Sequence, residues 1–132
     1  MNFKLLSSHT TSNFVTVEEY IHEKTGLKHY HVTDHTAQEH AMLIGFPTFP
    51  KKDHGVAHIL EHLTLAGSNR FPKGDPFTGM TSRSAASFLN ALTYRDSTRY
   101  PVASPIEKDF FNLCTVYFDA VWSPLLSYEN FQ

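Results

Sequence analysis

The stretch His54–Gly67, HGVAHILEHLTLAG, restricts this chain more than any other. Its run of helix-forming apolar residues, with no proline, predicts a helix from about Gly55 to Ala66. Asp53 or His54 would stand near its N-cap, and Gly67 would stop it. At about 100° per residue, Val56, Ile59, Leu60 and Leu63 form one apolar stripe. That stripe is expected to hold the helix to the fold. His58, Glu61 and His62 fall on the opposite side, together with Leu65. The pattern admits a bland reading, a core helix with satisfied histidines, but those histidines would then lie on the apolar side. It also admits an ordinary solvated face, which Leu65 makes atypical.

The chemistry of a metal site fits the same spacing. Residues i and i+4 share a helix face, so two imidazoles can reach one ion. A glutamate beside them can take a proton from water that a metal has made acidic. The order His-x-x-Glu-His is the inverse of the common zinc-protease motif His-Glu-x-x-His. His58 and His62 are therefore candidate ligands and Glu61 a candidate general base.

The rest of the chain alternates strands with helices. Residues 14–33, FVTVEEYIHEKTGLKHYHVT, read as a β-hairpin turning at Thr25-Gly26. His40–Phe46 reads as a third, more buried strand closed by Pro47 and Pro50. GSNRFPKGDPFTG, residues 67–79, reads as a loop on its glycines and prolines. ASFLNALTYRDSTRYPVA reads as two strands joined near Arg95-Asp96. Ser104 as N-cap, Pro105 at the first position and Glu107 in a capping box would open a second helix. Ile106, Phe110, Leu113, Tyr117 and Val121 recur on its expected core face, and Ser123-Pro124 ends it.

Composition narrows the function classes. The chain has 132 residues, the size of one ordinary domain, and an apolar fraction of 41% suffices for a core. Eleven Lys and Arg against thirteen Asp and Glu give a net charge of −2, with no basic surplus for nucleic acid or a membrane surface. Cys114 is the one cysteine, so an internal disulfide and a cysteine-based zinc site are both excluded. It lies in an apolar helical stretch and reads as a packed thiol. No stretch is long and apolar enough to cross a membrane. The N-terminus shows neither a signal-peptide core nor an Arg-rich transit pattern, which gives the expectation of a cytoplasmic protein rather than a mitochondrial-matrix one.

DHGVAHILEHLTLAGSNRFPKGDPFTGM resembles the zinc-site segment of the pitrilysin/insulinase family, the inverzincins, and within it the presequence-protease branch. The likeness continues through SRSAASFLNALTYRDSTRYP and DFFNLCTVYFDAVWSPLL and reaches back to EKTGLKHYHV. It implies an α+β fold, a mostly antiparallel sheet with helices packed on one face, forming the first part of a pitrilysin/insulinase-type domain. It implies Zn2+ held by His58 and His62, with Glu61 as base, in a metalloendopeptidase that cuts short, unstructured peptides. Asn90 and Ala91 match the family's substrate-side edge strand, where a peptide substrate adds as a β-strand. By residue type alone, Asn90 is more ordinarily a turn or strand-end asparagine.

The same resemblance implies what residues 1–132 lack. The third zinc ligand of the family is a glutamate well downstream, expected beyond Gln132; Glu107, Asp109, Asp119 and Glu129 do not match it. The remainder of a larger protease, whose two halves close around the peptide, is then the expected partner. The chain reads as a single, incomplete N-terminal metallopeptidase domain. Alone it is expected to be inactive or nearly so, and to self-associate through apolar surface on the helix at 105–122. The competing readings are a non-catalytic peptide-binding or pseudoenzyme module and a structural α/β fragment whose histidines bind nothing.

Overall fold

The structure is a computed structural model, and it describes residues 2–49, 55–72 and 76–127. The chain divides into two compact units, residues 1–38 and 39–132.

The first unit is an antiparallel meander of three strands: β1 (Phe3–Thr10), β2 (Thr16–His22) and β3 (Lys28–Thr33). The second and third form the expected hairpin, with Tyr20 opposite His29 and Val17 opposite Val32. Its turn needs a left-handed residue, and Gly26 supplies it at φ 72°. β1 was not expected from sequence. Its eight residues are all exposed and lack a two-residue apolar alternation, so no amphipathic signal marked it. It forms by pairing its backbone with β2, through a register shift between Leu5 and Ser7.

The second unit carries the site. β4 (His40–Pro47) pairs antiparallel with β7 (Ser97–Ser104), from His40 opposite Ser104 to Pro47 opposite Ser97. The other side of β7 takes two short strands, β5 (Phe88–Leu89) and β6 (Leu92–Thr93). The expected strand in that region is thus interrupted at Asn90-Ala91. Among the described residues, three helices complete the unit: α1 (Val56–Leu65), α2 (Pro76–Arg83) and α3 (Glu107–Trp122). α1 and α3 pack on the sheet. Ile44, Tyr100 and Val102 from the strands meet Leu65, Leu113, Tyr117 and Ala120 from the helices in one buried core. This is the expected α+β arrangement.

Several local expectations need correction. α1 has Gly55 as N-cap, in a left-handed conformation and with no side-chain cap; Asp53 and His54 lie outside the described residues. Its C-cap is Ala66, so Gly67 follows the helix as expected. The stretch 67–79 is not all loop, because α2 starts at Pro76. A proline at the first helical position is the start signal that the glycines and prolines around it obscured.

α3 begins two residues later than its expected cap. Ser104 closes β7, and Ile106 is the N-cap without a side-chain bond. Ser104 still serves the junction. Its Oγ donates to Asp109 Oδ2 at 2.9 Å, and the same carboxylate oxygen accepts the Ala85 N–H at 3.1 Å. Leu113 and Tyr117 are buried as predicted, but Ile106 is exposed.

The largest correction concerns α1. Val56, Ile59 and Leu60, expected to pack, are 64%, 46% and 46% exposed. The helix instead buries Glu61, Thr64 and Leu65, with Ala57 partly covered. Ala57, Glu61, Thr64 and Leu65 recur at i, i+4, i+7 and i+8, so they form a second helical stripe. α1 packs that stripe toward β6, β7 and α3.

Candidate active site

His58 and His62 are one turn apart on α1. Their Nε2 atoms lie 3.1 Å apart, with ring centroids at 4.8 Å. The local cause is helix geometry alone, since i and i+4 side chains stack along one face. A ligand atom from each of His58, Glu61 and His62 falls within 4.8 Å of the others. Both histidines are exposed and Glu61 is buried.

These residues fit a metal ion on their own geometry. Two nitrogens bound to one tetrahedral zinc at about 2.0–2.1 Å stand roughly 3.3 Å apart, close to the span between the two Nε2 atoms. Two imidazoles with a neighbouring carboxylate are also the donor types that suit zinc rather than a hard, oxygen-seeking cation. Among the described residues no other group of His, Cys, Asp and Glu converges in this way.

Glu61 is only 4% exposed, so its carboxylate must be hydrogen-bonded to be tolerated. The partner comes from the sheet. Thr93 Oγ1 donates to Glu61 Oε2 at 2.5 Å. Tyr100 lies close by in the core. Burial pushes its hydroxyl up in pKa, a bond with Thr64 partly offsets this, and the Glu61 charge adds to the rise.

Asn90 and Ala91 sit at the break between β5 and β6, the two strands that pair with β7 on its side away from β4. Asn90 N–H donates to the Pro101 carbonyl at 3.3 Å, and Tyr117 O–H donates to the Asn90 carbonyl at 3.1 Å. Asn90 Oδ1 accepts the Ala91 N–H at 2.9 Å. The asparagine therefore shapes its own strand break.

A cleft of about 180 Å3 joins these parts, lined by Glu61, His62, Leu65, Ala66, Phe77, Asn90 and Ala91. Of the residues singled out from sequence, Glu61, His62, Asn90 and Ala91 meet in this cleft, and His58 stands beside His62 outside its lining. Sequence reasoning missed Phe77, because α2 was read as loop. It also missed Thr93, which sits 32 positions from Glu61 and carries no local signal.

Comparison with known proteins decides the family. The model of the family described as "Insulinase (Peptidase family M16)" matches residues 48–131. The chain belongs to the insulinase family of peptidases. A mitochondrial presequence protease of Kluyveromyces lactis is 45% identical over 117 residues, covering 89% of this chain and 12% of that protein. The presequence protease of Eremothecium gossypii is 46% identical over 113 residues, 86% of this chain and 11% of its own length. An uncharacterized protein of Borreliella burgdorferi is 40% identical over 98% of this chain and 13% of its own. The crystal structure of pitrilysin superposes with a TM-score of 0.81 at 20% identity, over 98% of this chain and 14% of that one, which shows the shared fold. The chain thus spans about one eighth of the length of these relatives.

Proposed function

We propose that residues 1–132 are the metal-holding part of a zinc metalloendopeptidase that hydrolyses short, unstructured peptides. The observation that carries this reading is the convergence of His58 and His62 Nε2 beside a buried, hydrogen-bonded Glu61. His58 and His62 would hold the ion as neutral imidazoles. Zinc, when bound, supplies Lewis acidity and lowers the pKa of water toward neutrality. Glu61 takes the proton of the attacking water on its carboxylate and returns it to the leaving amine nitrogen.

The strand break at Asn90-Ala91 receives the extended peptide as an added strand. Leu65, Ala66 and Phe77 offer an apolar wall beside Glu61 for one substrate side chain. Among the described residues no further His, Cys, Asp or Glu side chain joins His58, Glu61 and His62. We place the third ligand in the longer protein that the relatives exemplify, and with it the rest of the peptide-binding surface.

Zinc content and peptide cleavage by the full-length protein test this. Glu61→Gln should keep the zinc and lose cleavage by at least about a hundredfold, since a general base contributes 10²–10⁴-fold. His58→Ala or His62→Ala should lose both. Cleavage that persists in Glu61→Gln, or that ignores a chelator, would overturn the mechanism. Peptide binding without hydrolysis, equally indifferent to a chelator, would favour a non-catalytic module. Strong Glu61-dependent cleavage by residues 1–132 alone would show that the third ligand is not needed from elsewhere.

A further inference from the structure

We infer that Thr93 is a positioning residue for Glu61, a hydroxyl from the edge of the sheet that fixes the carboxylate of the helix. The inference rests on the peptidase reading for its consequence, but its geometry stands independently. Glu61 projects from α1 into a nearly closed space, at 4% exposure. A glutamate side chain has three rotatable bonds, and the helix backbone fixes none of them. Its definition must come from what it meets.

What it meets is Thr93 Oγ1, at 2.5 Å from Oε2. That is short for a hydroxyl donor, whose usual O–H···O length is about 2.7–2.8 Å. Thr93 is suited to hold a position. It is β-branched and stiff at χ1. It lies on β6, whose register is pinned by Thr93 opposite Thr98 and Leu92 opposite Arg99. The next residue closes the turn, with Tyr94 N–H donating to Ser97 O at 2.7 Å. Asn90 and Ala91 stand just before β6 on the same segment. The segment that would seat the peptide and the group that would move the proton are therefore tied by one hydrogen bond. Oε2 is the engaged oxygen, which leaves Oε1 free of Thr93 for the proton.

The closing experiment uses the full-length protein with Thr93→Val, which keeps the shape and removes the hydroxyl, and Thr93→Ser, which restores it. Thr93→Ala is the substitute if the valine variant does not fold. Crystal structures of the zinc-loaded variants are the first readout. Glu61 should hold one side-chain position in wild type and Thr93→Ser and spread over more than one in Thr93→Val. Kinetics are the second. Thr93→Val should lose roughly 10–100-fold in kcat, the usual scale for a partner that orients a group at a metal site, with KM within about twofold. Thr93→Ser should recover most of it, and zinc content should stay at the wild-type value in all variants.

Wild-type kcat in Thr93→Val, an undisturbed Glu61 in its crystal structure, or a loss that Ser does not rescue would overturn the inference. A loss accompanied by zinc release would overturn it too, since Thr93 would then act on metal binding. If the wild-type protein cleaves no peptide while Glu61 still loosens in Thr93→Val, the peptidase reading fails and the positioning role stands.

Discussion

At the residue scale, Tyr117 links the hydrophobic core to the candidate site. It is fully buried, and its hydroxyl donates to the Asn90 carbonyl at 3.1 Å. Burial drives its pKa well above the usual phenol range. It therefore remains a protonated donor at any working pH. Tyr117→Phe keeps the ring packing and removes one donor. The expected cost is about 1 kcal/mol, the net worth of a hydrogen bond whose acceptor is partly covered. The more telling effect is local. Amides at Ala91 and Leu92 should exchange with deuterium faster in the variant, while those of α3 away from Tyr117 stay unchanged. A uniform rise across the second unit would instead mean that the hydroxyl supports the core as a whole.

At the scale of the element, α1 shows what a sequence reveals and what it leaves open. The convergence of His58, Glu61 and His62 was legible because side chains at i and i+4 share one face of any helix. Which face packs was not. Two stripes compete, Val56-Ile59-Leu60-Leu63 and Ala57-Glu61-Thr64-Leu65, and the first is the more apolar. The second wins in this structure because the Glu61 carboxylate finds Thr93 and Leu65 enters the core, contacts made across distant sequence. The same limit hid α2. Its Thr, Gly and Ser residues are poor helix formers, and only Pro76 at its start signalled it. The hairpin of β2 and β3 was legible for the opposite reason, since its strand residues and its turn glycine are neighbours in sequence.

The start of α1 gives a prediction at this scale. Gly55 is the N-cap with φ 67°, and its carbonyl accepts the Ile59 N–H at 3.0 Å. A Cβ built there meets no atom within 4 Å. The cost of Gly55→Ala is therefore conformational rather than steric, about 1 kcal/mol for an L-residue held left-handed. Gly55→Asn should cost less, because asparagine tolerates that conformation and can cap. Denaturant midpoints should rank Gly above Asn above Ala. Zinc affinity should follow the same order, since fraying of the first turn loosens His58 before His62. Equal stability of the alanine variant would show that the left-handed turn is not held in solution.

At the scale of the whole molecule, the exposed apolar residues bear on how residues 1–132 behave alone. Along α1, Val56, Ile59 and Leu60 are open; along α3, Phe111 and Trp122 are 59% and 52% exposed, and Phe118 lies against Trp122 with ring centroids at 5.2 Å. Half-exposed side chains of this size each retain a large part of the roughly 1.5–3 kcal/mol that full burial yields. Association of two copies through either helix would recover some of it, against a loss of translational and rotational freedom of at least about 4 kcal/mol. Several residues must act together to exceed that cost, and both stripes have several. Light scattering on the isolated 132-residue chain should therefore show mass rising with concentration. Ile59→Lys with Leu60→Glu, or Phe118→Lys with Trp122→Glu, should return it toward the monomer without moving His58 and His62. The pair that succeeds names the associating helix. A constant monomer mass in the unsubstituted chain would mean that neither stripe, exposed as it is, offers enough continuous apolar area to associate.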